Sequence, residues 1–264
     1  MRFGNHLIAL NNVIYFCEIL KCREILVDDS VKFIKNQFFY IKFNISIRYS
    51  LDTNCFNEGV ICGKSSHFYG PFKIKIPQHR FFVFQEEFLS NIPKYESNEN
   101  DLYIHIRSGD IFSSFIHGNY AQPPLCFYEF IINNFHFKKI FIISEDRKNP
   151  VIDALLNKYS NISFLHKDFN NDVSYIINAY NLVISSSSFS LNLARLSKKL
   201  KKLFVYDITP KFEKDVWLIK DNKYCENAIT IIMTASDKYK SEIIPWKSNK
   251  QQKELMLKAR CNYN

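Results

Sequence analysis

A guanidinium, an imidazole and a carboxylate fall within one short run, His105-Ile106-Arg107-Ser108-Gly109-Asp110. Arginine is permanently charged, and its planar fork matches a phosphate or pyrophosphate bidentately. Further along, Ser185-Ser186-Ser187-Ser188-Phe189-Ser190 sets hydroxyls between an apolar run and a helical pattern. The first N–H groups of a helix have no intrahelical partner and attract anions, so this turn is a second anion-binding element. A third polar turn, Ser144-Glu145-Asp146, closes another apolar run. In combination the three turns point to a diphosphate with something attached. Each also has a plain structural use: Arg107 can pair with Asp110, His105 can be a satisfied core histidine, and serines favour helix caps. No GxxxxGK[ST] or GxGxxG loop is present, which weighs against kinase, NTPase and dinucleotide chemistry.

These turns can meet only if the elements carrying them run side by side. Strands are expected at 102–106, 139–143, 162–165, 182–184 and 203–206. Helices are expected at 124–134, 149–159, 172–180 (capped by Asp172) and 190–200 (ending in the run Lys198, Lys199, Lys201 and Lys202). Alternation of this length predicts an α/β fold with a doubly wound parallel sheet. In such sheets ligands bind beyond the carboxyl ends of the strands, where all three turns fall. The earlier part reads as a helix over 6–21, capped by Asn5, then a strand at 24–27, then short strands in aromatic runs such as Phe38–Phe43. Lys94 to Asn100 is polar and reads as a linker. The expectation is therefore an N-terminal α/β domain over 1–98 and a C-terminal domain over 101–264. Because the chain opens in the middle of a strand–helix–strand unit, the N-terminal domain is expected to be truncated.

Composition bounds the function classes. With 47% hydrophobic residues the chain has a core to bury and is not a disordered segment. A formal net charge of +9 favours anionic partners. No basic stripe interleaved with aromatics accompanies that charge, so nucleic acid is not the expected partner, although charge alone keeps a basic nucleic-acid-binding protein as an alternative. The 7 histidines are scattered and the 7 cysteines form no CxxC, so no metal site is expected. Most cysteines read as buried thiols, with one or two disulfides open. No apolar run has the roughly 18–20 residues needed to span a bilayer. Membrane association is expected only through a missing N-terminal segment.

The run His105 to Asp110 resembles the His-x-Arg-x-Gly-Asp motif of the fucosyltransferase superfamily that makes α1,2-, α1,6- and protein O-linked fucose. Asp172 through Ser187-Ser188-Phe189-Ser190 looks like a later motif of the α1,2 group, and Gly4-Asn5-His6-Leu7 is similar to the family's Gly-Asn-Gln-Leu/Met opening. The resemblance implies a GT-B arrangement of two Rossmann-like domains, with the sugar-nucleotide donor site in the C-terminal one. It implies inverting, metal-independent transfer of fucose from GDP-fucose, with no cofactor, to a glycan or glycoprotein. Arg107 would bind the diphosphate, and Arg107 and Asp110 would carry catalysis. His105 and Asp110 would shape the turn, and His105 and Gly109 would also belong to the donor site. Ser187, Ser188, Phe189 and Ser190 would meet phosphate or nucleotide. Asp172 would meet the guanine or its own motif's backbone, and Asn5 would face the crevice. Asp110, Glu129 and Glu145 are candidates for a general base. Ser108 stands where the α1,2 and α1,6 enzymes commonly have a second arginine, and Tyr120-Ala121-Gln122-Pro123-Pro124-Leu125 looks like a loop bordering the acceptor. A catalytically inactive sugar-nucleotide-binding relative is the alternative. The family works in the secretory pathway or, in bacteria, in the cytoplasm.

Overall fold

The structure, a computed structural model, describes residues 92–113, 118, 120–208 and 228–261, and in the N-terminal part 7, 9, 12–14, 17, 21, 22, 24–27, 39–41, 45–49, 60–63, 89 and 90. The chain divides into two compact units, Met1–Ile92 and Pro93–Asn264.

In the first unit, β1 (Glu24–Val27) pairs in parallel with β3 (Ile45–Tyr49) and with β4 (Val60–Gly63). β2 (Phe39–Ile41) lies antiparallel to β3, giving the order β2-β3-β1-β4. Leu7, Ala9, Val13, Ile14 and Cys17 are helical and buried, within the helix expected over 6–21. Asn5, with its neighbours Gly4 and His6, lies outside the described residues.

The second unit is built on six strands, all parallel: β5 (Leu102–His105), β6 (Ile140–Ile143), β7 (Ile162–Leu165), β8 (Asn181–Ile184), β9 (Lys202–Asp207) and β10 (Ile229–Thr234). Their order is β10-β9-β8-β5-β6-β7. Counted from β5 this is 3-2-1-4-5-6, the order in which a sheet's direction of winding reverses between its first and fourth strands. The reversal falls between β5 and β8. The central strands read LYIH, IFII and NLVI, and β5 and β8 are buried along their whole length. Such near-continuous apolar runs are what a parallel sheet covered on both faces requires.

Helices follow the strands: α1 (Leu125–Asn134), α2 (Pro150–Lys158), α3 (Phe169–Asn178), α4 (Ser188–Leu196), α5 (Asp237–Ile243) and α6 (Lys250–Lys258). α1, α2 and α6 pack on one another, and α3 packs on α4. Leu102, Ile104 and Ile106 share a core with Phe127, Tyr128, Ile131 and Ile152. The alternate position His105 meets Phe189 of α4, with ring centroids 5.4 Å apart. Each core side chain buried this way contributes about 1.5–3 kcal/mol.

The helix starts differ from expectation in instructive places. α3 is capped by Asp168, whose carboxylate accepts from Asn171 N at 2.9 Å, and not by Asp172, which sits inside the helix. α4 begins within the serine run, with Ser187 as its cap, and ends at Leu196, before the lysines. Pro124 is the cap residue of α1 rather than part of its first turn. The segment 94–100 is not a free linker: Ser97 Oγ donates to the Asn178 carbonyl, and Asn181 Nδ2 donates to the carbonyls of Glu99 and Asp101 at 2.7 and 2.9 Å. β10, α5 and α6 had no counterpart in the sequence reading.

Candidate functional site

The carboxyl ends of the second sheet's strands, at the β5/β8 reversal, gather most of the residues singled out from the sequence. The backbone N–H of Arg107 donates to Ser185 Oγ at 2.9 Å, joining the turn after β5 to the serine turn after β8. Ser185 Oγ also lies 3.4 Å from His105 Nδ1. That hydroxyl can accept from Arg107 and still either donate to the imidazole or accept from it. Burial, and secondarily the adjacent Arg107 charge, push the His105 pKa down to about 3. His105 is thus a neutral, buried part of the frame.

The Arg107 side chain is 6% exposed. Its Nη2 contacts Asp110 Oδ1 at 3.3 Å, and its guanidinium lies 4.7 Å from the centroid of the Tyr120 ring. Asp110, 43% exposed, sits in the short 3₁₀ turn Gly109–Phe112. The internal Arg107–Asp110 pair weighed from the sequence is therefore formed. Gly109 has φ +64, a left-handed conformation that glycine adopts without strain, and a side chain there would overlap the Glu145 carboxylate.

Ser108 faces away from the crevice. It is fully buried, donates to Asp146 Oδ1, and accepts from Asn149 N at 3.0 Å. Asn149, the cap of α2, returns a bond from Nδ2 to the Arg107 carbonyl at 3.0 Å. Asp146 also accepts from the backbone of Gly109 and Lys148. Its partial burial raises its pKa, but the bonds from Ser108, Lys148 and Gly109 outweigh that and hold it below the usual carboxylate range. The position where the α1,2 and α1,6 enzymes commonly have a second arginine is here a buried tie between two turns.

In the first turn of α4, Ser187 Oγ accepts from Phe189 N at 3.2 Å, and Ser190, fully buried, has a hydroxyl with no hydrogen-bond partner. Ser188 is partly exposed in the same turn. A buried, unbonded hydroxyl beside a helix start costs free energy unless something meets it. Phe189 bridges His105 and Phe169, whose ring centroid is 5.9 Å away. Phe169, at the start of α3, is 45% exposed. Asp172, one turn on, is buried; its Oδ2 lies 3.0 Å from His166 Nδ1 and its Oδ1 has no hydrogen-bond partner. Burial lifts the Asp172 pKa to about 6, against the pull of His166.

Arg107, Gly109, Asp110, His105 and Ser185 are therefore joined directly, and Phe189 is joined to them through His105. Glu129 is not among them: it is paired with Lys158 Nζ at 2.6 Å across α1 and α2, which removes it as a candidate base. Asn149, His166 and Phe169 were not picked out as site residues from the sequence, and Tyr120 entered only within the segment 120–125 that looks like a loop bordering the acceptor. The cap pattern Asn149-Pro150 and the position of His166 just beyond a strand end are the signals that could have found two of the others. Among the described residues, no group of three or more His, Cys, Asp or Glu is placed to hold a metal ion, and no helix is long and apolar enough to cross a membrane.

Compared with known proteins, the chain matches no family model, no curated protein and no solved structure.

Proposed function

We propose that this protein is a glycosyltransferase of the GT-B type, with Rossmann-like domains, that transfers fucose from GDP-fucose to a glycan or glycoprotein with inversion and without a metal. The observation that carries the reading is the 2.9 Å bond from Arg107 N to Ser185 Oγ. It ties the His-x-Arg-x-Gly-Asp turn to the serine turn at the winding reversal, where parallel α/β sheets take their ligands. The motif resemblance supplies the donor.

When the sugar–phosphate bond breaks, negative charge builds on the β-phosphate of GDP. The Arg107 guanidinium and the N–H groups at the start of α4 stabilise that charge more in the transition state than before it, and more strongly in a site shielded from water. Ser190 Oγ, buried without a partner, supplies a further donor. Phe169 offers an exposed ring for the base, and Asp172 Oδ1 a buried acceptor for the base's N–H groups. Asp110 holds the guanidinium before the donor arrives; once displaced, its carboxylate stands beside the reacting sugar. A loosely bonded, cation-like transition state lowers the demand for a strong base.

The test is a thermal-shift panel of GDP, UDP, ADP and CMP sugars, followed by transfer from GDP-fucose. A ligand at a hundred times its dissociation constant stabilises by about 2.7 kcal/mol. GDP compounds are expected to give the shift, and Arg107→Ala to lower transfer by about two decades or more. Unchanged transfer by Arg107→Ala overturns the reading. A second reading, sugar-nucleotide binding without turnover, is favoured by the existing Arg107–Asp110 pair. It predicts binding by calorimetry with neither hydrolysis nor transfer across an acceptor panel.

A further inference from the structure

Arg107 leans on a residue that nothing in the sequence connects with it. The Tyr120 ring lies under the guanidinium, 4.7 Å away. Tyr120 is fixed from behind, because Gln122 Nε2 donates to its carbonyl at 2.9 Å and the Tyr239 hydroxyl of α5 donates to the Gln122 carbonyl at 2.8 Å. Trp246 stitches the same loop to the C-terminal part, its Nε1 donating to the Ile111 carbonyl at 2.7 Å and its backbone N to the Gly118 carbonyl at 2.8 Å. A long, rotamer-rich side chain is thereby given one orientation before any ligand arrives.

The face and the edge of a guanidinium do separate work. An aromatic ring is attracted to its face, while carboxylate or phosphate oxygens meet its N–H groups in the plane. Tyr120 meets Arg107 through its ring face and not through an acceptor atom, so it does not occupy an N–H group that an anion would use. Asp110 and an anion do compete, and Asp110 is the partner able to leave, being 43% exposed on a 3.3 Å contact. The geometry points to Tyr120 as a positioning residue that keeps the Arg107 guanidinium in place when Asp110 gives way to a diphosphate. This rests on the diphosphate reading of the site given above.

The experiment uses the full chain and GDP as the probe. Calorimetry of wild type, Tyr120→Phe and Tyr120→Leu is combined with NMR of the arginine side-chain Nε–H groups. The phenylalanine variant keeps the ring and is expected to bind within about twofold of wild type; loss of the cation–π contact in the leucine variant weakens GDP roughly three- to thirtyfold. The Arg107 Nε–H resonance is expected to be displaced by the ring current in wild type and in the phenylalanine variant, and to move to the ordinary arginine position in the leucine variant. A merely structural role would lower the melting temperature without that selective change. GDP binding by Tyr120→Leu equal to wild type, or an undisplaced Arg107 resonance in wild type, overturns the proposal. If the leucine variant does not fold, the wild-type and phenylalanine spectra still decide. A wild type that binds no nucleoside diphosphate while its Arg107 resonance is displaced overturns the site reading and this proposal together, a result distinct from the failure of Tyr120 alone.

Discussion

Two buried oxygens near the carboxyl ends of the strands behave in opposite ways. Ser108 Oγ is fully engaged by Asp146 and Asn149, whereas Asp172 Oδ1 has no hydrogen-bond partner. Asp172 is faced by His166, Asp168 and Glu145, and burial lifts its pKa to about 6. With the folded pKa above the unfolded one, the folded state holds the extra proton between roughly pH 4 and 6, so stability falls as pH rises through that window. A guanine presents N–H donors, which favour the ionised carboxylate. Under the proposed function, GDP affinity is therefore expected to rise with pH through about 6, close to tenfold between pH 5 and 7. Asp172→Asn should flatten that dependence and stabilise the free protein more at pH 7 than at pH 4. Calorimetry across the range checks the first point and urea melts the second. A pH-independent wild-type affinity would remove Asp172 from the base site. His105 does not confuse the result, because its pKa of about 3 keeps it neutral throughout.

At the scale of the element, the start of α4 has two duties that can be separated. Ser187 caps the helix by accepting from Phe189 N, and the same turn is the proposed phosphate site. Ser187→Ala removes the cap and is expected to cost about 0.5–2 kcal/mol in chemical denaturation. Ser187→Asp keeps a capping oxygen and favours the helix dipole, so stability should stay near wild type. It also places a negative charge where the diphosphate belongs, and GDP binding should be lost. An aspartate variant that binds GDP normally would move the anion away from α4. The helix boundaries also show what was legible. Strands β5 to β9 could be read because their apolar runs are buried between turn residues. Asn149-Pro150 marked α2 because proline at the first helical position follows a capping side chain. Asp168 and Asp172 could not be told apart, because two aspartates one turn apart offer equal caps until packing buries one of them. The role of Ser108 was not legible either: its residue type says hydroxyl, and only the β6 turn says which way it points.

For the second unit as a whole, the part that was not legible is the part that holds the site's loop in place. α5 and α6 are largely polar, and their value lies in a few buried contacts made far along the chain. Trp246 is 2% exposed and bonds Ile111 and Gly118, and Gln252 Nε2 ties the carbonyls of Ile243 and Pro245 at 3.0 and 2.9 Å. The Cys126–Cys261 disulfide, with its Cα atoms 5.6 Å apart, fastens the first turn of α1 to the chain just beyond α6. It closes a loop of sequence separation 135, and cross-links of that span stabilise by about 2–5 kcal/mol, mainly by restricting the unfolded chain. Every strand from β6 to β10 lies within that loop, so the bond constrains most of the second sheet while holding the segment that braces Tyr120. Non-reducing peptide mapping should recover a fragment pair joined through Cys126 and Cys261. Cys126→Ser with Cys261→Ser is expected to lower the melting temperature by roughly 5–15 °C and to make the unfolding insensitive to reductant. Because the loop that carries Tyr120 depends on α5 and Trp246 rather than on the sulfurs themselves, GDP affinity well below the melting point should change less than in Tyr120→Leu. A double variant with wild-type stability would show that packing of α6 on α1 and α2, not the covalent bond, holds the C-terminal part against the sheet.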